Sequence, residues 1–124
     1  MVVVDAADLA DEEMGQIAAE MDYSETAFVE SLDPNDGGYD VRIFTPEEEL
    51  PFAGHPAIGT AAVLRDVTGE EDLTLNLKAG QVPVRVEAVA GRETLWLSQP
   101  SPSFGERFAH EAVADVLSLD ESDL

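Results

Sequence analysis

The stretch that decides the fold is Phe52-Ala53-Gly54-His55-Pro56-Ala57-Ile58-Gly59-Thr60-Ala61-Ala62-Val63-Leu64. Pro56 suits the first position of a helix, and residues 57–67 are small and apolar on nearly every side. A helix of this composition is expected to be buried all round rather than amphipathic. We therefore predict a helix at the centre of the fold, with the other elements packed around it.

Alternating apolar residues before and after this helix in the sequence predict β-strands. Strands over residues 26–30 and 39–45 flank a dense turn signal at residues 33–38, which predicts a hairpin. Three further strands are indicated by Leu73/Leu75/Leu77, Val82/Val84/Val86 and Leu95/Leu97. A helix is predicted over residues 11–21 and another over 109–117, after a linker at residues 99–103. The predicted class is α+β, with a mostly antiparallel sheet wrapped around the buried central helix.

The composition excludes several classes of function. The chain has 124 residues, 6 basic and 27 acidic side chains, a net charge of −21 and no cysteine. Without cysteine there can be no disulfide, thiolate zinc site or cysteine nucleophile. Nucleic acids and anionic membrane surfaces are not expected as partners, because binding them requires Lys and Arg. No membrane-spanning run or signal peptide is apparent, so a cytoplasmic protein is expected.

The acidic residues are spread along the chain rather than gathered in one block. This pattern is typical of the solvated surface of a folded protein rather than of an acidic tail. Two explanations remain open, an acidic interaction surface and an adaptation to high salt, where screening shortens the range of self-repulsion. We favour the adaptation to salt.

Two motifs depart from the alternation of apolar and polar residues around them, and each contains candidate site residues. Glu25 in Ser24-Glu25-Thr26-Ala27-Phe28 lies where a helix ends and a strand enters apolar surroundings. It is either an exposed loop acid or a carboxylate that acts as acid and base at the mouth of a site. Gly54 allows close approach of a ligand, and His55 begins a helix whose free N–H groups favour anions. The second motif is either an ordinary helix N-terminus or a carboxylate pocket with His55 as donor.

Other polar and aromatic residues give weaker signals. His55 and His110 lack the i, i+4 spacing of metal-binding histidines, so no metal site is predicted. His110 is expected to be exposed, and Trp96 is expected to be a sheet or interface residue.

The motifs taken together resemble the phenazine-biosynthesis (PhzF-like) isomerase family. The resemblance is carried by residues 22–29, 39–46 and 49–56 with Gly59-Thr60-Ala61, in matching order and spacing, and it extends to about Phe104. The resemblance implies a fold similar to that of diaminopimelate epimerases, with two pseudo-equivalent domains. In that fold each domain is a sheet around a central helix, and the active site lies in the cleft between them.

The resemblance also implies a reaction and its residues. Glu25 falls on the family's proton-shuttling carboxylate, and Gly54 and His55 fall on positions that bind the substrate carboxylate, with Ser24 beside them. The resembled reaction isomerises trans-2,3-dihydro-3-hydroxyanthranilate, a small carboxylate substrate, by moving a proton between ring carbons without any cofactor. The absence of cysteine excludes the two-cysteine chemistry of the related epimerases.

Members of the resembled family are about twice this length. The chain is therefore expected to contain one domain and only the beginning of the other. Residues 1–104 are expected to form the N-terminal domain, lacking the family's first strand, and residues 105–124 the start of a truncated second domain. With half the cleft absent, the chain alone is expected to show low or no isomerase activity. Its expected partner is the missing second half or a second copy in a homodimer. The alternative hypothesis is a non-catalytic binding or dimerising domain that retains the fold.

Overall fold

A computed structural model describes residues 1–123 of the chain. The elements in order are β1 (Val2–Val3), α1 (Asp11–Met21), β2 (Thr26–Val29), β3 (Tyr39–Phe44), β4 (Glu49–Leu50), α2 (Gly54–Thr68), β5 (Asp72–Leu77), β6 (Gly80–Val89), β7 (Arg92–Leu97), α3 (His110–Leu117) and a 3-10 helix (Glu121–Asp123). Residues 98–109 form no regular element, in agreement with the predicted linker.

The seven strands form one sheet in the order β1-β2-β3-β5-β6-β7, with β4 paired to β3 outside this path. The pairs β1–β2 and β3–β5 are parallel, whereas β2–β3, β3–β4, β5–β6 and β6–β7 are antiparallel. The predicted α+β class with a mostly antiparallel sheet is therefore confirmed. The predicted hairpin is also present, with Thr26 opposite Phe44 and Val29 opposite Val41.

The main core lies between α2 and one face of the sheet, and α2 contacts β1, β2, β5 and β7. Its buried members are Ala27, Val29, Tyr39, Val41, Ile43, Ala57, Ala61, Leu64, Leu73, Leu75, Leu77, Val82 and Val84. The expectation that α2 is buried on every side is wrong. Ile58, Gly59 and Val67 are exposed, because the sheet covers only one face of the helix and small residues do not reveal which face that is.

A second apolar cluster lies on the opposite face of the sheet, beneath α1. It contains Ala6, Met14, Ala18, Phe28 and Phe44. The rings of Phe28 and Phe44 meet edge to face, with centroids 5.6 Å apart and an interplanar angle of 89°. Side chains alternate along β3 as predicted, so that Phe44 faces α1 while Tyr39, Val41 and Ile43 face α2.

An ion cluster joins α1, β3 and β4 at the edge of this second cluster. Arg42 donates to both carboxylate oxygens of Glu49, at 2.9 Å from Nε and 3.1 Å from Nη2, and it also pairs with Asp11. Its guanidinium carbon lies 5.2 Å from the centroid of the Phe44 ring. The sequence did not predict β4, because a two-residue strand has no periodicity to detect.

The two antiparallel parts of the sheet meet at a short parallel junction between β3 and β5. Only Tyr39–Leu75 and Asp40–Asn76 are paired there. The Asn76 side chain donates to Asp40 Oδ1 at 2.9 Å, and the backbone of Gly38 passes close to β5.

The C-terminal part of the chain is the most exposed. α3 begins one residue after its predicted start, and His110 is exposed as predicted. Trp96 lies on β7 with about half of its surface exposed, at 48%. The division into residues 1–104 and 105–124 stays a prediction. Within residues 1–123, none of the helices has the length and apolarity needed to cross a membrane.

Candidate active site

Glu25 occupies the entry to β2, after α1 has ended at Met21. Its side chain is 19% exposed, yet its Oε2 atom is buried and finds no hydrogen-bond partner among residues 1–123. Buried carboxylate oxygens in proteins are normally hydrogen-bonded, because desolvation without a partner is costly. A buried carboxylate oxygen without a hydrogen bond makes Glu25 a candidate site residue.

The N-terminus of α2 presents free backbone donors to the same region. Ala53 occupies the N-cap position in extended geometry and has no side-chain oxygen that could cap the helix. The first helical hydrogen bond runs from the Ala57 N–H to the Ala53 carbonyl at 3.2 Å, so the N–H groups of Gly54 and His55 precede the helical ladder. Such groups form a site suited to an anion.

The first turns of the two long helices differ in charge. α1 begins with Asp11, Glu12 and Glu13, which complement the positive end of its dipole, whereas the first turn of α2 holds no acidic residue. In a chain with a net charge of −21, the first turn of α2 thus contributes no negative charge of its own.

Packing of α2 against β2 brings the two motifs together. His55 Nε2 lies 3.5 Å from Glu25 Oε2, although 30 residues separate them in the sequence. The His55 side chain is 78% exposed, so the site is open to solvent on the side away from Glu25. Gly54 adjoins His55, and Ser24 adjoins Glu25 and is exposed. The roles assigned to these four residues stay predictions.

Two buried threonines lie near these residues. Thr26 follows Glu25, and its Oγ1 is buried and finds no hydrogen-bond partner among residues 1–123. Thr60 is satisfied, because its hydroxyl donates to the Pro56 carbonyl at 2.8 Å. Sequence reasoning missed Thr26, since a threonine inside a strand gives no distinguishing signal. Within residues 1–123, there is no group of three or more His, Asp or Glu side chains arranged to hold a metal ion.

Comparison with known proteins assigns the family. A family model described as phenazine biosynthesis-like protein matches residues 1–123. The chain belongs to this family, PhzC-PhzF. Its sequence is 42% identical over 113 residues to a trans-2,3-dihydro-3-hydroxyanthranilate isomerase of Pseudomonas aeruginosa, which covers 90% of this chain and 40% of that protein. It is 36% identical to an uncharacterized isomerase of Deinococcus radiodurans, over 97% of this chain and 40% of that protein.

Solved structures agree with this assignment. A predicted epimerase from Pseudomonas aeruginosa superposes with a TM-score of 0.81 at 33% identity, over 99% of this chain and 45% of that one. A PhzF-family phenazine biosynthesis protein of Bacillus anthracis superposes with a TM-score of 0.79 at 31% identity, over 99% of this chain and 42% of that one. The predicted family and fold are confirmed. This PhzC-PhzF chain spans about 40% of the length of the curated relatives it matches.

Proposed function

We propose that this PhzC-PhzF chain carries the acid/base half of an isomerase site, which acts on a small cyclic carboxylic acid of the dihydro-hydroxyanthranilate type. One observation carries the proposal: the buried Oε2 of Glu25, which makes no hydrogen bond, lies 3.5 Å from His55 Nε2 in the first turn of α2. This arrangement supports a proton acceptor next to a site for the substrate carboxylate.

The proposed reaction is a proton transfer in two steps. Glu25 as a carboxylate removes a proton from one ring carbon, and the electron pair left behind delocalises over the adjacent unsaturated system. The neutral Glu25 then returns the proton to a different ring carbon, so atoms and charge balance and no cofactor is needed. General acid–base catalysis of this kind contributes roughly 10²–10⁴-fold.

Substrate binding is assigned to the start of α2. The N–H groups of Gly54 and His55 would donate to the substrate carboxylate, and the His55 imidazole would donate to a neighbouring group. Ser24, beside Glu25, is a further candidate contact. The positive end of the α2 dipole would offset the negative charge of the substrate carboxylate. Lys and Arg side chains would contribute less, since the chain has only 6 of them.

Because His55 is 78% exposed, the site as described lacks a cover on one side. We expect that cover to be a second half like the one in the longer relatives, or a second copy of this chain. Cytoplasmic location is part of the same proposal.

The test is deuterium incorporation in D₂O into a cyclohexadiene carboxylic acid. The chain is assayed alone and mixed with the C-terminal portion of the Pseudomonas aeruginosa relative. Glu25→Gln is expected to lower incorporation by roughly 10²-fold or more, because the amide cannot accept the proton. Glu30→Gln, the same substitution just beyond the other end of β2, is the matched control and should leave it unchanged. Equal incorporation by Glu25→Gln and the unsubstituted chain would remove Glu25 from the mechanism.

A second candidate function is a binding or dimerising domain without catalysis. It is favoured by exposed apolar side chains near the C-terminus, namely Phe104, Phe108, Val116, Leu117 and Leu119. Exposed apolar patches of this kind commonly mark interaction surfaces. Absence of deuterium incorporation in both preparations, together with a dimer in analytical ultracentrifugation, would support this candidate over the isomerase.

A further inference from the structure

The tip of the β2–β3 hairpin is a two-residue turn made of Asp36 and Gly37. Asn35 and Gly38 close it through two hydrogen bonds, from Asn35 N to Gly38 O at 2.7 Å and from Gly38 N to Asn35 O at 3.0 Å. Both central residues have a positive φ, 49° at Asp36 and 80° at Gly37, which defines a type I′ turn. Asp36 and Gly37 are exposed, and they form the only Asp-Gly pair in the 124-residue sequence.

An aspartate followed by glycine can cyclise. The backbone N of Gly37 attacks Cγ of the protonated Asp36 carboxyl group, a five-membered succinimide ring forms, and one molecule of water leaves. Glycine hinders this attack least, because it has no side chain. Water then adds to the ring, and aspartate is restored when the bond from N to Cγ breaks. Isoaspartate forms when the bond from N to the Asp36 carbonyl carbon breaks, and the main chain then runs through Cβ and Cγ.

The observed turn holds Asp36 in the wrong conformation for this reaction. The ring closes only when the Gly37 nitrogen is nearly eclipsed with Cβ of Asp36. For an L-residue this requires ψ of about −120°, the value at the first central residue of a type II′ turn, whereas a type I′ turn has about +30° there. Asp36 already has the positive φ that both turns share. Rotation of the one peptide group between Asp36 and Gly37 therefore converts the observed turn into the reactive one.

Gln81 on β6 fixes the orientation of that peptide group. Its Nε2 donates to the Asp36 carbonyl oxygen at 2.8 Å. The same nitrogen donates to Asn76 Oδ1 at 3.1 Å, and Gln81 is paired with Asn76 in the sheet, so the donor is anchored to β5. Turning the peptide group over would point the Asp36 carbonyl away from Gln81 and break this hydrogen bond.

We infer that Asp36 is a modification site at which isoaspartate forms, and that the hydrogen bond from Gln81 slows its formation in the folded chain. The modification is separate from the proposed isomerase chemistry. Isoaspartate lengthens the main chain by one carbon atom inside a two-residue turn. Its formation would therefore displace Gly38 from its close approach to β5.

The test follows isoaspartate at Asp36 while the 124-residue chain is kept in H₂¹⁸O at neutral pH. Each ring opening adds one ¹⁸O atom, and peptide mapping with electron-transfer fragmentation assigns the label and the isomer to this position. The variants are Gln81→Ala and Gln81→Glu, since neither new side chain can donate to the Asp36 carbonyl. Gln16→Ala is the matched control, because Gln16 is an exposed glutamine whose amide donates to Glu12 at 3.3 Å.

Both Gln81 variants should raise the rate at Asp36 roughly two- to tenfold, the factor expected for the loss of one hydrogen bond. Gln16→Ala should leave the rate unchanged. Glu49→Gln breaks the ion pair with Arg42 but not the turn, so it should also leave the rate unchanged, because the peptide rotation does not require unfolding. The unsubstituted chain in concentrated urea should react faster than every folded variant, since the turn is then absent.

Three results would overturn the inference in different ways. Equal rates for the two Gln81 variants and the unsubstituted chain would contradict the role of Gln81. Equal acceleration by Glu49→Gln would show that the reaction proceeds through unfolding of the whole chain rather than through rotation of one peptide group. Absence of isoaspartate at Asp36 even in urea would contradict the modification site itself.

Discussion

Among the glycines, Gly38 is the one at which the fold leaves least room for a side chain. A Cβ atom there would lie 2.7 Å from the Thr74 carbonyl oxygen and 2.8 Å from Asn76 Oδ1. The first of these is backbone in the paired strand β5, which cannot move aside without disturbing the β3–β5 junction. The requirement is one of space and not of backbone angle, since Gly38 is not a positive-φ residue.

Gly38→Ala is therefore expected to lower the free energy of unfolding by about 1–3 kcal/mol, the usual range for overpacking a close contact. Gly105→Ala is the matched control, because its added Cβ meets nothing within 4 Å. Urea unfolding of both variants and of the unsubstituted chain measures the difference. A Gly38→Ala variant as stable as Gly105→Ala would contradict the close approach of β3 to β5.

At the scale of elements, Arg42 fixes α1 and β4 to β3. The guanidinium lowers the pKa of the Glu49 carboxyl through hydrogen bonds, and it lowers the pKa of Asp11 in the same way. A carboxyl whose pKa is lower in the folded state stabilises the fold above its unfolded pKa, here near 4.5 for Glu49. That stabilisation is lost as the pH falls through the lowered folded pKa.

Glu49→Gln should lower the free energy of unfolding by roughly 1–2 kcal/mol near neutral pH, because it breaks a bidentate, partly buried ion pair. The difference from the unsubstituted chain should shrink as the pH falls below about 4.5, where Glu49 first becomes protonated in the unfolded state, and should vanish as the pH falls through its lowered folded-state pKa. Urea unfolding from pH 7 to pH 3 tests this. Glu48→Gln is the control, since the Glu48 carboxylate makes no ion pair within residues 1–123. A pH-independent difference would show that Glu49 acts through packing alone.

The sequence predicted the elements whose periodicity is long enough to read. The prediction of α1 over about residues 11–21 is confirmed, and so is the prediction that Tyr39, Val41 and Ile43 share one face of β3. The same reasoning failed for α2, where alanine, glycine and threonine give no polar stripe to indicate the exposed face. It also missed β4, because the ion pair between Glu49 and Arg42 is a contact that no local pattern encodes.

The sequence predicts which residues form the candidate site, but it does not predict how their side chains are arranged in space. The local motifs indicate Glu25 and His55 as separate candidate residues. The family resemblance then predicts that both belong to one site. Their 3.5 Å approach depends on how α2 packs against β2, which no sequence spacing expresses. The buried hydroxyl of Thr26, which makes no hydrogen bond, depends on the surrounding atoms, so only the folded structure reveals it.

At the scale of the whole molecule, charge is the dominant feature. With 27 acidic and 6 basic side chains, the folded state concentrates like charges that the unfolded chain would separate. Screening reduces this repulsion, since the Debye length falls from about 10 Å at 0.1 M salt to about 3 Å at 1 M. We read the composition as an adaptation to salt and propose that stability depends on it.

The unfolding temperature should rise as KCl increases from 0.1 M to 2 M, measured by circular dichroism. A variant with Glu47→Gln and Glu48→Gln carries less charge on an exposed turn, so its unfolding temperature should depend less on KCl. Sucrose at matched osmolality is the control for effects other than charge screening. An unfolding temperature independent of KCl, or a slope equal in both proteins, would contradict the adaptation to salt.

The short β3–β5 junction has a consequence for the order in which the chain folds. The pairs β2–β3, β5–β6 and β6–β7 join strands that are consecutive in the chain, so only short loops have to close. Between β3 and β5, in contrast, the chain contains β4 and the whole of α2. Closing a long loop costs entropy before any contact forms, and only two residue pairs hold this junction. We therefore expect the hairpins to form first, with the parallel pairing waiting until α2 has folded back across the sheet. Gly38 then acts at the last step of assembly, where it lets two preformed parts of the sheet meet.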